Sequence, residues 1–161
     1  MVDSEHTAEG GATAPAPRIA AIDIGSNSVR LVVAEVLPSG GYRVLDEERE
    51  NTRLAASMVA TGELSDVTIE ATITALSRFL SIATGYGVGR ISAIATSAVR
   101  DAENGPEFCQ RVRRELELDV EVISSEEEAR LAFLSVQRAF DVHTVDAETQ
   151  DRYGRNAFGW S

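Results

Sequence analysis

Four short segments carry side chains able to act on anions. The first is Asp23-Ile24-Gly25-Ser26-Asn27-Ser28. An aspartate near the end of an apolar run is costly to bury unless it is paired, hydrated or metal-bound. A glycine lets the backbone approach a ligand closely, and successive N–H groups with Ser and Asn side chains can surround a phosphate. The competing reading is a hairpin turn whose Asp and Asn satisfy their own backbone. The second segment is Ala95-Thr96-Ser97-Ala98-Val99-Arg100-Asp101. Arg100 carries a planar fork that matches phosphate oxygens. The alternative is a surface ion pair with Asp101 or Glu103, worth little. The third is Ser124-Ser125-Glu126-Glu127-Glu128-Ala129-Arg130. Glu128 has the chemistry of a general base for an attacking water. Ser125 and Glu128 also fit the S-x-x-E capping box, which would commit that carboxylate to its own helix. The fourth, Glu47 to Arg53, reads as a solvated charged edge, with Arg53 as the side chain that would reach an anionic ligand.

The elements that must position these residues follow from the hydrophobic pattern. Ile19 to Ile24 is a short apolar run ended by Gly25 and reads as a buried strand. Val29 to Val36 is rich in β-branched residues and reads as a second strand, and Tyr42 to Glu47 begins a third, more exposed one. The tight links between them predict an antiparallel meander. Residues 50–64 are ambiguous, with a turn at Thr61-Gly62. Ser65 then reads as a helix N-cap, and Ile69, Ile73, Leu76 and Leu80 follow helical spacing until Gly85-Tyr86-Gly87. Ile91 to Ala95 predicts a strand, Asn104 to Glu107 a capped helix start, Val120 to Ile123 a strand, and Ser125 to Phe140 a last helix.

The resulting order is β-β-β-α-β-α-β-α. It is similar to the ribonuclease-H-like α/β layer with a mixed five-stranded sheet, the unit of the actin-like ATPase superfamily. In that layer the carboxyl ends of the first strand and the first parallel strand are neighbours. Asp23, Ser26, Asn27 and Arg100 would then meet, with Glu128 opening on the same rim. An acid, a polar loop, an Arg and a carboxylate base together suit phosphoanhydride hydrolysis.

Composition narrows the classes further. The chain has 161 residues, 26 acidic and 15 basic, a net charge of −11. Every basic residue is Arg. That balance argues against non-specific nucleic-acid binding, which needs basic patches to displace counterions. A small anion remains compatible, because local dipoles outweigh net charge. The single cysteine, Cys109, excludes an internal disulfide and a Cys-based zinc site. No apolar run approaches the roughly 20 residues of a membrane helix. Residues 1–17 have no signal-peptide pattern and read as a disordered tail, so the expected compartment is cytoplasmic.

Three stretches in order, AAIDIGSNSVRLVVAEV (20–36), AIATSAVRDAEN (93–104) and EVISSEEEARLAFLSV (121–136), resemble the Ppx/GppA family of exopolyphosphatases and guanosine pentaphosphate phosphohydrolases. The resemblance spans residues 18–140 and implies an actin-like N-terminal lobe. It implies Mg²⁺-assisted attack of water on the terminal phosphate of inorganic polyphosphate or guanosine pentaphosphate. By matching motif, Asp23 would help hold the metal through water. Gly25, Ser26, Asn27 and Ser28 would form a phosphate loop, Arg100 would bind phosphate, and Glu128 would be the catalytic base. Glu127 and Arg53 are supporting candidates.

The sequence also departs from the family. Ser124-Ser125 stands where Ser-Gly is usual, and Leu54-Ala55-Ala56-Ser57 replaces a Gly-rich segment. Residues 141–161 are polar and unlike the second phosphate loop and second lobe that would follow, so a truncated lobe with reduced or no activity is expected. No partner beyond the substrate is implied except a second copy of the chain as a homodimer. The alternatives are a non-catalytic module that binds polyphosphate or guanosine tetra/pentaphosphate, an inactive gene fragment, and, more weakly, a sugar kinase of the same superfamily.

Overall fold

The computed structural model describes residues 16–134. Strands β1 (Arg18–Ile24), β2 (Val29–Val36) and β3 (Tyr42–Glu50) form the expected antiparallel meander. Strand β4 (Arg90–Ala95) pairs in parallel with β1, and β5 (Val120–Val122) in parallel with β4. The sheet order is β3-β2-β1-β4-β5. Helices α1 (Met58–Thr61) and α2 (Asp66–Gly85) precede β4, and α3 (Ser97–Asp101) and α4 (Gly105–Leu116) precede β5. A fifth helix, α5, covers residues 125–134. The predicted continuation of that helix to Phe140, the tail 141–161 and most of the 1–17 tail lie outside the described residues.

Alternation along the strands divides the sheet into two faces. Ala20, Ile22 and Ile24 of β1 and Val29, Leu31 and Val33 of β2 are buried. They join Ile69, Ile73, Leu76 and Phe79 of α2 and Phe108 and Val112 of α4 in one core cluster. Each of the Val, Ile, Leu and Phe side chains among them stabilises the fold by about 1.5–3 kcal/mol relative to exposure. The intervening residues Ala21, Asp23, Arg30 and Ser92 lie on the other, open face. There Leu131 of α5 lines a cavity with Ala21, Val32 and Ile94.

Local chemistry sets the helix ends. Ser65 caps α2, its Oγ accepting from the Thr68 N–H at 3.4 Å, with Asp66 in the first turn. The expected Asn104 cap on α4 is not formed. Asn104 instead clasps Leu64 across the chain: its Oδ1 accepts from Leu64 N–H and its Nδ2 donates to Leu64 O, both at 2.9 Å. That clasp fixes the turn entering α2 against the start of α4. Gly105 follows because a Cβ there would collide with the Val99 carbonyl.

Candidate active site

The site forms where β1 and β4 end side by side, with Asp23 opposite Ile94 and Ile24 opposite Ala95. Beyond β1 the chain turns sharply, the Gly25 N–H donating to Ser28 O at 3.0 Å. A Cβ on Gly25 would sit 3.1 Å from that same oxygen, so a side chain would crowd the turn. The loop is braced from outside. Arg53 N–H donates to Asn27 O and Ala55 N–H to Ser26 O, each at 3.0 Å. Arg53 adopts φ 50°, a left-handed conformation uncommon for a residue with a side chain. Its predicted reach toward an anion is therefore joined to a backbone role, since the strained residue is itself tied to the loop.

A cavity of about 360 Å³ opens beside this loop, lined by Asp23, Gly25, Ser26, Ile94, Thr96, Ser97, Ile123, Glu128 and Leu131. Asp23, Gly25, Ser26 and Glu128 thus meet at one cavity. Asn27 and Ser28 shape the loop without lining the cavity. Crowding by neighbouring atoms pushes the Asp23 carboxyl above its ordinary range. The Arg30 charge opposes that rise, and Glu128 adds to it through like-charge repulsion. The two carboxylates therefore sense each other across the cavity.

The adjacent serines before α5 decide what Glu128 is free to do. The capping frame is one residue earlier than the Ser125–Glu128 pairing considered from sequence. Ser124 Oγ accepts from Glu127 N–H at 3.1 Å, and Ser124 O accepts from Glu128 N–H at 2.9 Å. Glu127 occupies the capping-box position and pairs with Arg130 at 3.6 Å, away from the cavity. The Glu128 carboxylate turns inward instead.

Arg100 holds it there. Its Nη1 donates to Ile123 O at 2.9 Å and to Glu128 Oε2 at 3.3 Å. Its Nε lies 3.3 Å from Asp101 Oδ1, so the ion pair expected from sequence is present beside the unexpected one. Arg100 adjoins the cavity through Ile123 and Glu128 rather than lining it. Sequence reasoning passed over Thr96 and Ser97, both of which line the cavity. Their signal was a Thr-Ser pair directly after an apolar strand. Ser97 Oγ lies 2.9 Å from Ser26 Oγ, joining the loop after β1 to the segment after β4.

Among the described residues, no three His, Cys, Asp or Glu side chains cluster to hold a metal ion. Asp23 and Glu128 offer hard oxygens of the kind Mg²⁺ prefers, and Mg²⁺ usually keeps several waters. The donor set fits a hydrated Mg²⁺ and does not form a closed protein cage. No helix among these residues is long and apolar enough to cross a membrane.

A sheet of order 3-2-1-4-5 with this connectivity defines the ribonuclease-H-like, actin-like class. The family model for the Ppx/GppA phosphatase family matches residues 18–148, and the chain belongs to that family. It is 34% identical over 121 residues to exopolyphosphatase 1 of Mycobacterium tuberculosis, covering 75% of this chain and 35% of that protein. The solved structure of the Aquifex aeolicus Ppx/GppA family member is 42% identical with a TM-score of 0.72, covering 76% of this chain and 40% of that one. A solved exopolyphosphatase from Cytophaga hutchinsonii is 29% identical, also with a TM-score of 0.72, over 75% of this chain and 38% of its own. The chain thus spans about a third of the length of the curated relative.

Proposed function

We propose that this chain is the N-terminal lobe of a cytoplasmic phosphoanhydride hydrolase that releases terminal phosphate from inorganic polyphosphate, with guanosine pentaphosphate as the alternative substrate. The observation that carries the reading is the meeting of Glu128 and Asp23 with the Gly25-Ser26 loop at one cavity. Glu128 acts as general base. It takes a proton from a water whose oxygen attacks the terminal phosphorus, and the anhydride P–O bond breaks toward the shortened chain. The loop N–H groups and the Ser26 hydroxyl receive phosphate oxygens, and Asn27 and Ser28 keep the loop in shape. Arg100 serves two partners, steadying Glu128 and offering its fork to phosphate once substrate arrives. Arg53 and Glu127 support the loop and the helix cap. Asp23 would hold Mg²⁺ through water, and the ion when bound would neutralise charge on the phosphates.

A second reading is a module that binds polyphosphate or a guanosine polyphosphate without turnover. The engagement of a Glu128 oxygen by Arg100 favours it, because that oxygen already accepts a hydrogen bond from the protein itself.

The test is phosphate release from long-chain polyphosphate with and without Mg²⁺, beside Glu128→Ala. Mg²⁺-dependent release that falls at least about 100-fold in the variant supports the hydrolase, in keeping with the loss of a general base. Saturable binding with no release from either protein supports the binding module. Equal release from both rejects Glu128 as the base.

A further inference from the structure

We infer that Thr96 and Ser97 form a second phosphate-holding wall of the cavity, opposite in chemistry to its two carboxylates. The inference rests on the phosphoanhydride reading above and assigns residues which that reading leaves without a role.

Thr96 follows the last residue of β4, and its backbone is fully engaged. Its N–H donates to Ile24 O at 3.2 Å, and its carbonyl accepts from Val99 N–H and Arg100 N–H. Its side chain is not engaged in the same way. Thr96 stands immediately before α3, where a threonine hydroxyl ordinarily caps, and makes no capping bond. The residue is only 8% exposed. Its hydroxyl has no hydrogen-bond partner among the described residues. The hydroxyl is not sealed in the core: it reaches the cavity, where its hydrogen is available to a ligand. Among the described residues Thr52 has the one buried hydroxyl left unpaired, and that atom is sealed from solvent. Thr96 lines the open cavity, where a ligand can supply the missing partner.

Ser97 adds a donor by simple counting. Ser97 Oγ and Ser26 Oγ lie 2.9 Å apart, and either can donate to the other. Two hydroxyls carry two hydrogens, and their mutual bond uses one. The other is free to donate into the cavity that both residues line. Thr96 and the serine pair therefore present neutral donors to the same space.

An anion needs such donors here. Asp23 and Glu128 line the same cavity and repel a phosphate. Hydroxyls hold phosphate oxygens without bringing a positive charge that would compete for the carboxylates. A phosphate held by Thr96 and Ser97 shares the cavity with Glu128, the base proposed for the attacking water.

The test uses the 161-residue chain, inorganic tripolyphosphate as the probe, and titration calorimetry with and without Mg²⁺. Thr96→Val should weaken tripolyphosphate binding about tenfold or more, the loss expected for a hydrogen bond to a charged group. Thr96→Ser should stay within about threefold, because it keeps the hydroxyl. Ser97→Ala should lose less than Thr96→Val, since the freed Ser26 hydroxyl can still donate. Without ligand, Thr96→Val should melt at or above the temperature of the unaltered chain, because the hydroxyl it removes has no protein partner. Unchanged tripolyphosphate affinity in Thr96→Val overturns this inference alone. So does a lowered melting point in unliganded Thr96→Val that Thr96→Ser restores, which would make the hydroxyl structural. Failure of the unaltered chain to bind tripolyphosphate overturns the inference together with the reading beneath it.

Discussion

The two faces of the sheet come from the same strands and do different work. On one, Ala20, Ile22 and Ile24 of β1 lie sealed beneath α2 and α4 with Phe79 and Phe108. On the other, Ala21 and Asp23 of the same strand stay accessible, and Asp23 meets Ser26, Thr96 and Glu128 at the cavity. The sealed face holds the strands in register. The open face uses that register to bring distant side chains together. Stability and chemistry are therefore separated by the two-residue period of a strand.

That separation is open to direct challenge. The largest stability effect should come from the sealed face. Phe79→Ala removes a fully buried ring and should destabilise the chain by about 3–5 kcal/mol in urea unfolding. A loss below about 1 kcal/mol would mean that this face is not the main source of stability. Gly105→Ala comes next. The new Cβ meets the Val99 carbonyl, a backbone atom that cannot swing aside. A cost of about 1–3 kcal/mol is expected by the same measurement, and full stability would show that the turn between α3 and α4 yields easily.

The open face should respond differently. Ser124→Ala removes the cap on α5 and should cost about 1 kcal/mol. Because that cap sets the frame of Glu128, the substitution should also reduce phosphate release. A change in stability with no change at the site would separate the cap from the chemistry. Asp23→Asn should have the smallest effect and the opposite sign. Partial desolvation by neighbouring atoms raises the Asp23 carboxyl above its unfolded value of 3.8. The folded chain then binds the proton more tightly than the unfolded one, so stability falls as pH rises through that interval. The cost persists at neutral pH and disappears below the unfolded value. Asp23→Asn should therefore melt slightly higher than the unaltered chain at pH 7, with the gap closing as pH falls. A lower melting point at pH 7 would show that the charge is stabilising where it stands.

Much of this comparison was legible in the sequence, for physical reasons that also mark where legibility ends. Strands β1 and β2 and helix α2 have strong periods, and all three form where the pattern places them. Helices α1 and α3 are only 4 and 5 residues long, too short for a 3.6-residue period to register. The adjacent serines at 124 and 125 each have a glutamate three residues on, so spacing alone offered two capping frames. The hydrogen bond from Glu127 N–H to Ser124 Oγ selects one and releases Glu128. The Asn104 clasp was invisible because Leu64 lies 40 residues away. Arg100 shows both outcomes, keeping the local pair with Asp101 and adding a contact to Glu128 across 28 residues. Thr96 and Ser97 went unread because a Thr-Ser pair after a strand is common turn chemistry, and only the fold sets it in one cavity with two carboxylates.

The most direct test of the account is to map where a phosphoanhydride settles on the sheet. Amide chemical shifts of the isotopically labelled chain should be followed during titration with tripolyphosphate and Mg²⁺. The account predicts changes concentrated at residues 23–28, 94–100 and 123–128, with α2 and the body of β3 left unmoved. Changes centred on α2 or on the sealed side of α4 would contradict it, and so would saturation with no change along 23–28.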